Sequence, residues 1–281
     1  MTYTYHGLRD LLAAHGIPDA DFDALTLLET FAGASRTAIF ADPARAYESE
    51  ALTDAVEKRL RRVPLQYIIG EWEFMGLPFV VNEHCLIPRA DTEHIAEAAI
   101  ARKPRRVLDL CTGSGCILAS VLHYCPDASG VAVDCMADAL AVAAENFRLL
   151  GVAERVQIVC GDVRERLFTP AEKFDVITAN PPYITADEMK TLAPELSAEP
   201  RIALTDGGDG LSLYQAILEN FCGNLADGGV FIVEHGYAQS EAVCAMAAEY
   251  GMAARVLRDY GGNVRGAELS RCMTKNKDDG L

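Results

Sequence analysis

At 281 residues, half of them hydrophobic, the chain suits one large domain or a large one plus a small one, with a sizeable core and little room for long disorder. Its formal net charge of -16 argues against a protein whose main task is to grip a phosphate backbone, where basic residues supply most of the affinity. Nine cysteines, an odd number without a C-x-x-C pair or zinc-like spacing, read as reduced thiols of a cytoplasmic protein. The opening MTYTYHGLRD has no signal-peptide layout, and no apolar run is long enough to span a bilayer.

Residues 1–66 read as a small helical bundle. Leu8, Leu11 and Leu12 recur at helical spacing, as do Ala24, Leu27, Leu28 and Phe31, and Leu52, Val56 and Leu60. Pro18 and Asp19 open the second helix, and ADPA breaks the third. EKRLRR, Glu57 to Arg62, reads as a solvated helix end complementing the dipole, with a docking patch as the alternative. From Gln66 to Val81 the period changes to two, and residues 67–84 are expected to form a β-hairpin linker.

Residues 85–281 carry the chemistry. CLIPRADTEHIAEAAI is a loop entering a helix, with Asp91 placed to cap it and Thr92 and Glu93 in its first turn. Beyond Arg105, strands RVLDL, GVAVD, VQIVCGD, FDVITAN and GGVFIVEHG alternate with helices at Cys116–Tyr124, Ala137–Leu150 and LSLYQAILENF. ARVLRDY and ELSRCMT are expected to pair antiparallel at an edge, and KNKDDGL to fray. This alternation predicts an α/β fold with a doubly wound, mostly parallel sheet, and the continuous apolar strands fit burial on both faces.

LDLCTGSGCI places a strand, a glycine turn and a helix start in succession. Leu118 stands where a nicotinamide-binding loop would want its third glycine, and no Gly-Lys-Ser/Thr is present for a Walker loop. The loop matches the D-x-x-x-G-x-G pattern of proteins that bind S-adenosylmethionine, with Asp109 at its head. Asp134, ending the second strand, is placed for the ribose hydroxyls, and Asp162, ending the third, for the adenine amino group. Taken singly, each acid reads as a strand-end or cap residue. Together they converge on the carboxyl edge of the sheet, where ligands bind in such folds, and carboxylates there suit a sulfonium cation.

ANPPYI, from Ala179 to Ile184, ends the fourth strand on that same edge. Two prolines stop the ladder and stiffen the turn. The Asn180 side-chain oxygen and the Pro181 carbonyl form a rigid pair of acceptors, and Tyr183 offers a flat face for stacking. A planar NH2 is the group that needs such a site. An amide nitrogen is a poor nucleophile, its lone pair delocalised on the scale of a rotation barrier of about 18–20 kcal/mol. Fixing both N–H bonds orients it and favours the charge that develops on attack, with no general base needed before transfer.

The chain resembles the glutamine N5-methyltransferases of class-one peptide release factors, the HemK/PrmC family, in PLQYIIGEWEFMGLPFVVNEHCLIPRADTE, LDLCTGSGCI, NPPYI and EPRIALTDGGDGLSLYQAI. The resemblance implies a helical N-terminal domain that engages the release factor and a Rossmann-like class I methyltransferase domain. S-adenosylmethionine would be the donor, S-adenosylhomocysteine the product and the glutamine of a Gly-Gly-Gln loop the acceptor. Donor contacts are implied for Asp109, Cys111, Thr112, Gly113, Ser114, Gly115, Asp134, Asp162, Val163 and Asn180. Asn180, Pro181, Pro182 and Tyr183 would hold the glutamine, with Asn180, Pro181 and Tyr183 catalytic, and Arg89, Thr92 and Glu93 would line the pocket.

Three positions depart from the family pattern. Cys111 replaces the first glycine of D-L-G-T-G-S-G, as is common in the branch that methylates a large-subunit ribosomal protein; Ala90 replaces a proline; and Val163 replaces an aromatic. The alternatives are that ribosomal-protein enzyme, an adenine-N6 methyltransferase acting on nucleic acid, and a noncatalytic donor-binding scaffold. An adenine enzyme must flip its base and hold the duplex, against which the acidic charge and the missing target-reading domain speak. Intact Asn180 and Tyr183 speak against a scaffold.

Overall fold

The computed structural model describes residues 1–272 and divides into two compact units. One comprises Met1–Trp72 with Leu192–Ala198; the other comprises Glu73–Thr191 and the chain from Glu199 onward.

The first unit opens with β1 (Thr2–Tyr3), α1 (Tyr5–Ala14), α2 (Ala20–Ala32) and α3 (Arg36–Ala41). It continues through β2 (Tyr47–Glu48), antiparallel to β1, then α4 (Glu50–Leu60) and α5 (Leu65–Ile69). Thr4, Ser35 and Ser49 cap α1, α3 and α4 by accepting from the backbone N–H three residues on. Asp19 sits at the N-cap of α2 but makes no side-chain capping bond. Leu8, Leu12, Leu27, Leu28, Ile39, Leu52 and Val56 are sealed in one core.

Two expectations need correction in this unit. EKRLRR does end α4 with Glu57, Lys58 and Arg61 exposed, but Arg59 turns inward, only 5 % exposed, and donates to Asp23 Oδ2 at 2.6 Å. The period-two reading from Gln66 starts too early. Pro64 and Gly70 bracket one short helical run, α5, before any strand begins.

β3 (Glu71–Phe74) and β4 (Leu77–Val80) form the hairpin, turning at Met75 and Gly76, both at positive φ as tight hairpin turns require. A 3-10 turn over Ala90–Thr92 leads into α6 (Glu93–Ala101). Asp91 does not cap this helix: its carboxylate pairs with Arg265 at 3.3 Å, and its carbonyl accepts from the His94 ring.

Alternation then follows: β5 (Arg106–Leu110), α7 (Cys116–Tyr124), β6 (Ser129–Asp134), α8 (Ala137–Leu149), β7 (Val156–Cys160) and β8 (Phe174–Ala179). After these come α9 (Arg201–Leu204), α10 (Ser212–Phe221), β9 (Leu225–Glu234), α11 (Ser240–Glu249), β10 (Met252–Arg258) and β11 (Val264–Arg271). The seven-stranded sheet has the order β10-β11-β9-β8-β5-β6-β7, parallel except where β11 runs against both β9 and β10. The last two strands pair as expected, but β11 enters between β9 and β10, so β10 is the edge. KNKDDGL lies outside the described residues.

Neighbouring residues of each central strand feed opposite cores. Val107, Ala132, Val176 and Ile232 face α6, α7 and α8, whereas Leu108, Val133, Ile177 and Phe231 face α10 and α11. The chain moves from β5 to β6 on one side and later returns to place β8 on the other. This reversal opens a crevice at the carboxyl ends of β5 and β8, below which the glycine loop and the Asn-Pro-Pro turn emerge.

Candidate active site

A cavity of about 280 Å³ occupies that crevice, near the lower end of the volumes ligands use. Its walls bring together Arg89, Thr92, Cys111, Thr112, Gly113, Ser114, Asp134, Asp162, Val163, Asn180 and Pro182 from the sequence reading. Asp109, Glu93, Gly115, Pro181 and Tyr183 do not line it.

Asp109 is 1 % exposed beneath the loop, where Thr112 Oγ1 donates to one carboxylate oxygen at 2.5 Å and Thr178 Oγ1 to the other at 2.6 Å. Burial pushes its pKa up to about 6 against the pull of these hydroxyls. Here the motif's acid braces the loop. Gly115 packs rather than binds: at φ 78° it starts α7 so close to α8 that a Cβ would meet the Phe147 ring at 2.8 Å. Cys111 adopts φ 57° where the family pattern has glycine, a conformation that costs an L-residue about 1–2 kcal/mol. Burial drives its thiol pKa well up, so the sulfur is a neutral wall group.

Asp134 is fixed by backbone on both oxygens, accepting from Gly113 N and Met136 N at 2.9 Å each. Desolvation raises its pKa, and these amides oppose the rise. Each oxygen keeps a lone pair for a hydroxyl. Asp162 lies two residues beyond the end of β7 and is held by Arg164, with N at 2.9 Å and Nη1 at 3.1 Å. Two aligned acceptors for a diol, a loop free of bulk at Gly113 and acidic walls fit an adenosyl sulfonium ligand.

Asn180 follows β8, and its Nδ2 donates to Thr92 Oγ1 at 3.4 Å. Tyr183 is packed against the core under β8 and β9, with its hydroxyl on Glu234 Oε1 at 3.1 Å. Its ring therefore supports the turn from behind. Glu93 faces the hairpin, where its Oε1 accepts from Met75 N at 2.7 Å.

Four residues that hold this site were not read from the sequence. Glu199, 6 % exposed, accepts from Ile87 N at 3.1 Å and pairs with Arg89, tying down the loop before α6. Asp206 accepts from the backbone of Gly208, Gly210 and Ser212 and from the Ser212 hydroxyl, which folds TDGGDGLS into a tight knot. A Cβ on Gly210 would sit 2.0 Å from the Tyr183 carbonyl oxygen, so this knot presses bare backbone against the Asn-Pro-Pro-Tyr turn. Asn146, fully buried in α8, bonds Val80 N and O at 2.7 and 3.0 Å and Ser114 O at 2.9 Å. Glu234 ends β9 at 2 % exposure. The signal for the last two was an amide or acid interrupting an otherwise apolar buried run.

Residues 91–220 match the family model of the methyltransferase small domain, and residues 5–70 that of the PrmC N-terminal domain. A release factor glutamine methyltransferase of Cereibacter sphaeroides is 41% identical over 259 residues, covering 90% of this chain and 92% of its own. Another, from Caulobacter vibrioides, is 39% identical over 246 residues, covering 85% and 84%. Among solved structures, the hMettl16 catalytic domain in complex with the MAT2A 3'UTR hairpin 6 superposes with a TM-score of 0.56 at 14% identity, over 83% of this chain and 86% of that one, a likeness of fold alone. With its glycine loop, Asp134, Asp162, Asn180 and Pro182 on one cavity and relatives this similar over nearly their full length, the chain belongs to the family of release factor glutamine methyltransferases.

Proposed function

We propose that this chain transfers a methyl group from S-adenosylmethionine to the side-chain amide nitrogen of the glutamine in the Gly-Gly-Gln loop of a class-one peptide release factor, in the cytoplasm. One observation carries the reading: Asn180 shares a cavity with Asp134 and the Cys111–Ser114 loop, so an amide-binding group and a nucleoside cradle face a single space. No helix among the described residues is long and apolar enough to cross a membrane.

The donor, when bound, supplies an electrophilic methyl on a sulfonium. Asp134 would hold the ribose hydroxyls, and Asp162 and Val163 would bound the adenine. Cys111 to Ser114, with Arg89 and Thr92 beside them, would hold the methionine end. With donor and glutamine bound, Asn180 Oδ1 on the cavity wall would accept one amide hydrogen, and the carbonyl of Pro181, between the lining residues Asn180 and Pro182, would accept the other, orienting the nitrogen toward the methyl. Positive charge developing on the nitrogen would be met by these oxygens, and one N–H proton would pass to water after transfer, with no base needed before it. Binding both hydrogens of an NH2 also sets the acceptor class: a carboxylate or hydroxyl has no second hydrogen to give.

The test is mass spectrometry of a purified release factor incubated with this protein and labelled donor. One methyl is expected on the glutamine of its Gly-Gly-Gln peptide, and Asn180→Ala is expected to abolish it. Label on a ribosomal protein or on nucleic acid in place of the release factor overturns the substrate assignment.

A further inference from the structure

Gln239 sits at the N-cap of α11 and does not line the cavity. Its backbone is fixed on both sides: N donates to Gly236 O at 3.0 Å, and O accepts from Val243 N at 3.0 Å in the first turn of the helix. From that root the side chain reaches three separate stretches of chain. Oε1 accepts from Gly236 N at 2.9 Å, just past the end of β9. Nε2 donates to Tyr183 O at 2.9 Å and to the Asp209 and Gly210 carbonyls at 3.4 Å each.

These partners leave the amide one orientation. A glutamine amide is nearly symmetric in shape, and its neighbours decide which end is oxygen. Here an N–H meets one end and three carbonyl oxygens meet the other, so reversal would set donor against donor and acceptor against acceptors. Two glycines make room for it. A Cβ on Gly210 would sit 2.7 Å from Nε2, and one on Gly236 would sit 2.9 Å from Oε1.

The carbonyl that Gln239 holds closes the Asn-Pro-Pro-Tyr turn. At the near end, Ala179 pairs with Val233 in the β8–β9 ladder. Asn180 is then followed by two prolines, whose fixed φ leaves the stretch to Tyr183 few soft dihedrals, so it behaves as a stiff arm. Neither proline has an N–H to tie it down. The far end is held by Gln239 at Tyr183 O and, one residue on, by Ile184 N donating to Leu204 O at 2.9 Å. The Pro181 carbonyl lies between these anchors, and its position follows theirs.

We propose that Gln239 is a positioning residue: by tying the Tyr183 carbonyl to the Asp206 knot and to the end of β9, it fixes where the Asn-Pro-Pro-Tyr turn presents its acceptors to the substrate amide. This rests on the functional reading above, in which those acceptors hold the glutamine. Only an amide serves all four partners at once, because it carries an acceptor for Gly236 and a two-hydrogen donor for the three carbonyls.

The test compares wild-type protein with Gln239→Glu and Gln239→Met. Glutamate keeps the shape but turns an acceptor toward the three carbonyls, whereas methionine keeps the length and drops both polar ends. Calorimetric titration with S-adenosylmethionine gives donor affinity and, from its stoichiometry, the number of folded sites. Affinity is expected to stay within about threefold of wild type, because Gln239 does not line the cavity. With a release factor as acceptor, kcat per donor-binding site is expected to fall by about 10²-fold in both variants. A merely structural role would lower the number of sites and leave kcat per site unchanged, and that result overturns the positioning role. Amide hydrogen exchange over residues 183–186 reads the anchor with no acceptor present. It is expected to quicken by about tenfold in Gln239→Met, and unchanged exchange there overturns the anchor. Should Gln239→Glu fail to fold, Gln239→Met decides alone. A wild-type protein that binds donor yet leaves the release factor unmethylated overturns the substrate reading instead, and the exchange measurement still decides whether Gln239 holds the turn.

Discussion

Asp109 shows how little a motif says about what its residues touch. At the head of D-x-x-x-G-x-G it reads as a ligand contact, yet it is buried beneath the loop and off the cavity wall, its two oxygens accepting from Thr112 and Thr178. The residue pattern records that a carboxylate is needed there, not which way it faces. Its burial has a thermodynamic consequence. A carboxyl titrating near 6 in the folded protein and near 3.8 when unfolded binds its proton more tightly in the native state. Its contribution to stability is therefore full below about pH 4 and is lost as pH rises through about 6. Asp109→Asn holds the neutral shape at every pH. Between pH 4 and pH 7 the unfolding free energy of the variant, relative to wild type, is expected to rise by on the order of 2–3 kcal/mol. Urea unfolding of both proteins across that range checks the sign; a flat difference would show that Asp109 is not strained by burial. Cys111 carries the other kind of residue-level tension, a positive φ that the residue type alone does not advertise.

Elements were read well where one physical signal dominates. RVLDL and Cys116–Tyr124 fall where periodicity and the glycine turn put them, because a buried parallel strand and a helix opening on Gly115 leave unambiguous patterns. α11 escaped, since SEAVCAMAAE is built from small residues and shows no strong apolar stripe. The joints between elements were also hidden, as they depend on single polar side chains. Asn146 is the clearest: one amide inside α8 ties both backbone groups of Val80 on the hairpin and the Ser114 carbonyl of the glycine loop. Asn146→Ala leaves those three groups buried with no replacement donor or acceptor. The expected loss is about 2–4 kcal/mol of stability, together with weaker donor binding as the loop loses its brace. Denaturant unfolding and calorimetry test it, and a variant within about 0.5 kcal/mol of wild type would mean that water replaces all three bonds.

At the scale of the molecule the chain does not divide where its motifs do. The helical unit spans Met1–Trp72 but is completed by Leu192–Ala198, a segment that leaves the methyl-transfer unit after the Asn-Pro-Pro-Tyr turn and returns at Glu199. Inside that unit Glu195 accepts from Arg59 at 3.1 Å and Arg62 at 3.2 Å, next to the buried Arg59–Asp23 pair. Such an insertion is invisible in one dimension: LAPELSAEP is short and aperiodic, and pairing across long separation leaves no local trace. A break at residue 72 therefore strands Leu192–Ala198 without the two arginines that hold Glu195. A chain beginning at Glu73 keeps every residue lining the cavity and is expected to bind donor. Its Leu192–Ala198 segment, however, becomes the first site cut by a broad-specificity protease, whereas the full chain resists there because the buried arginine leaves the segment little freedom to open. Limited proteolysis read by mass spectrometry distinguishes the two. Equal protection of that segment in both chains would mean that it is held by the methyl-transfer unit alone and that the ion-pair cluster around Arg59 contributes nothing to its order.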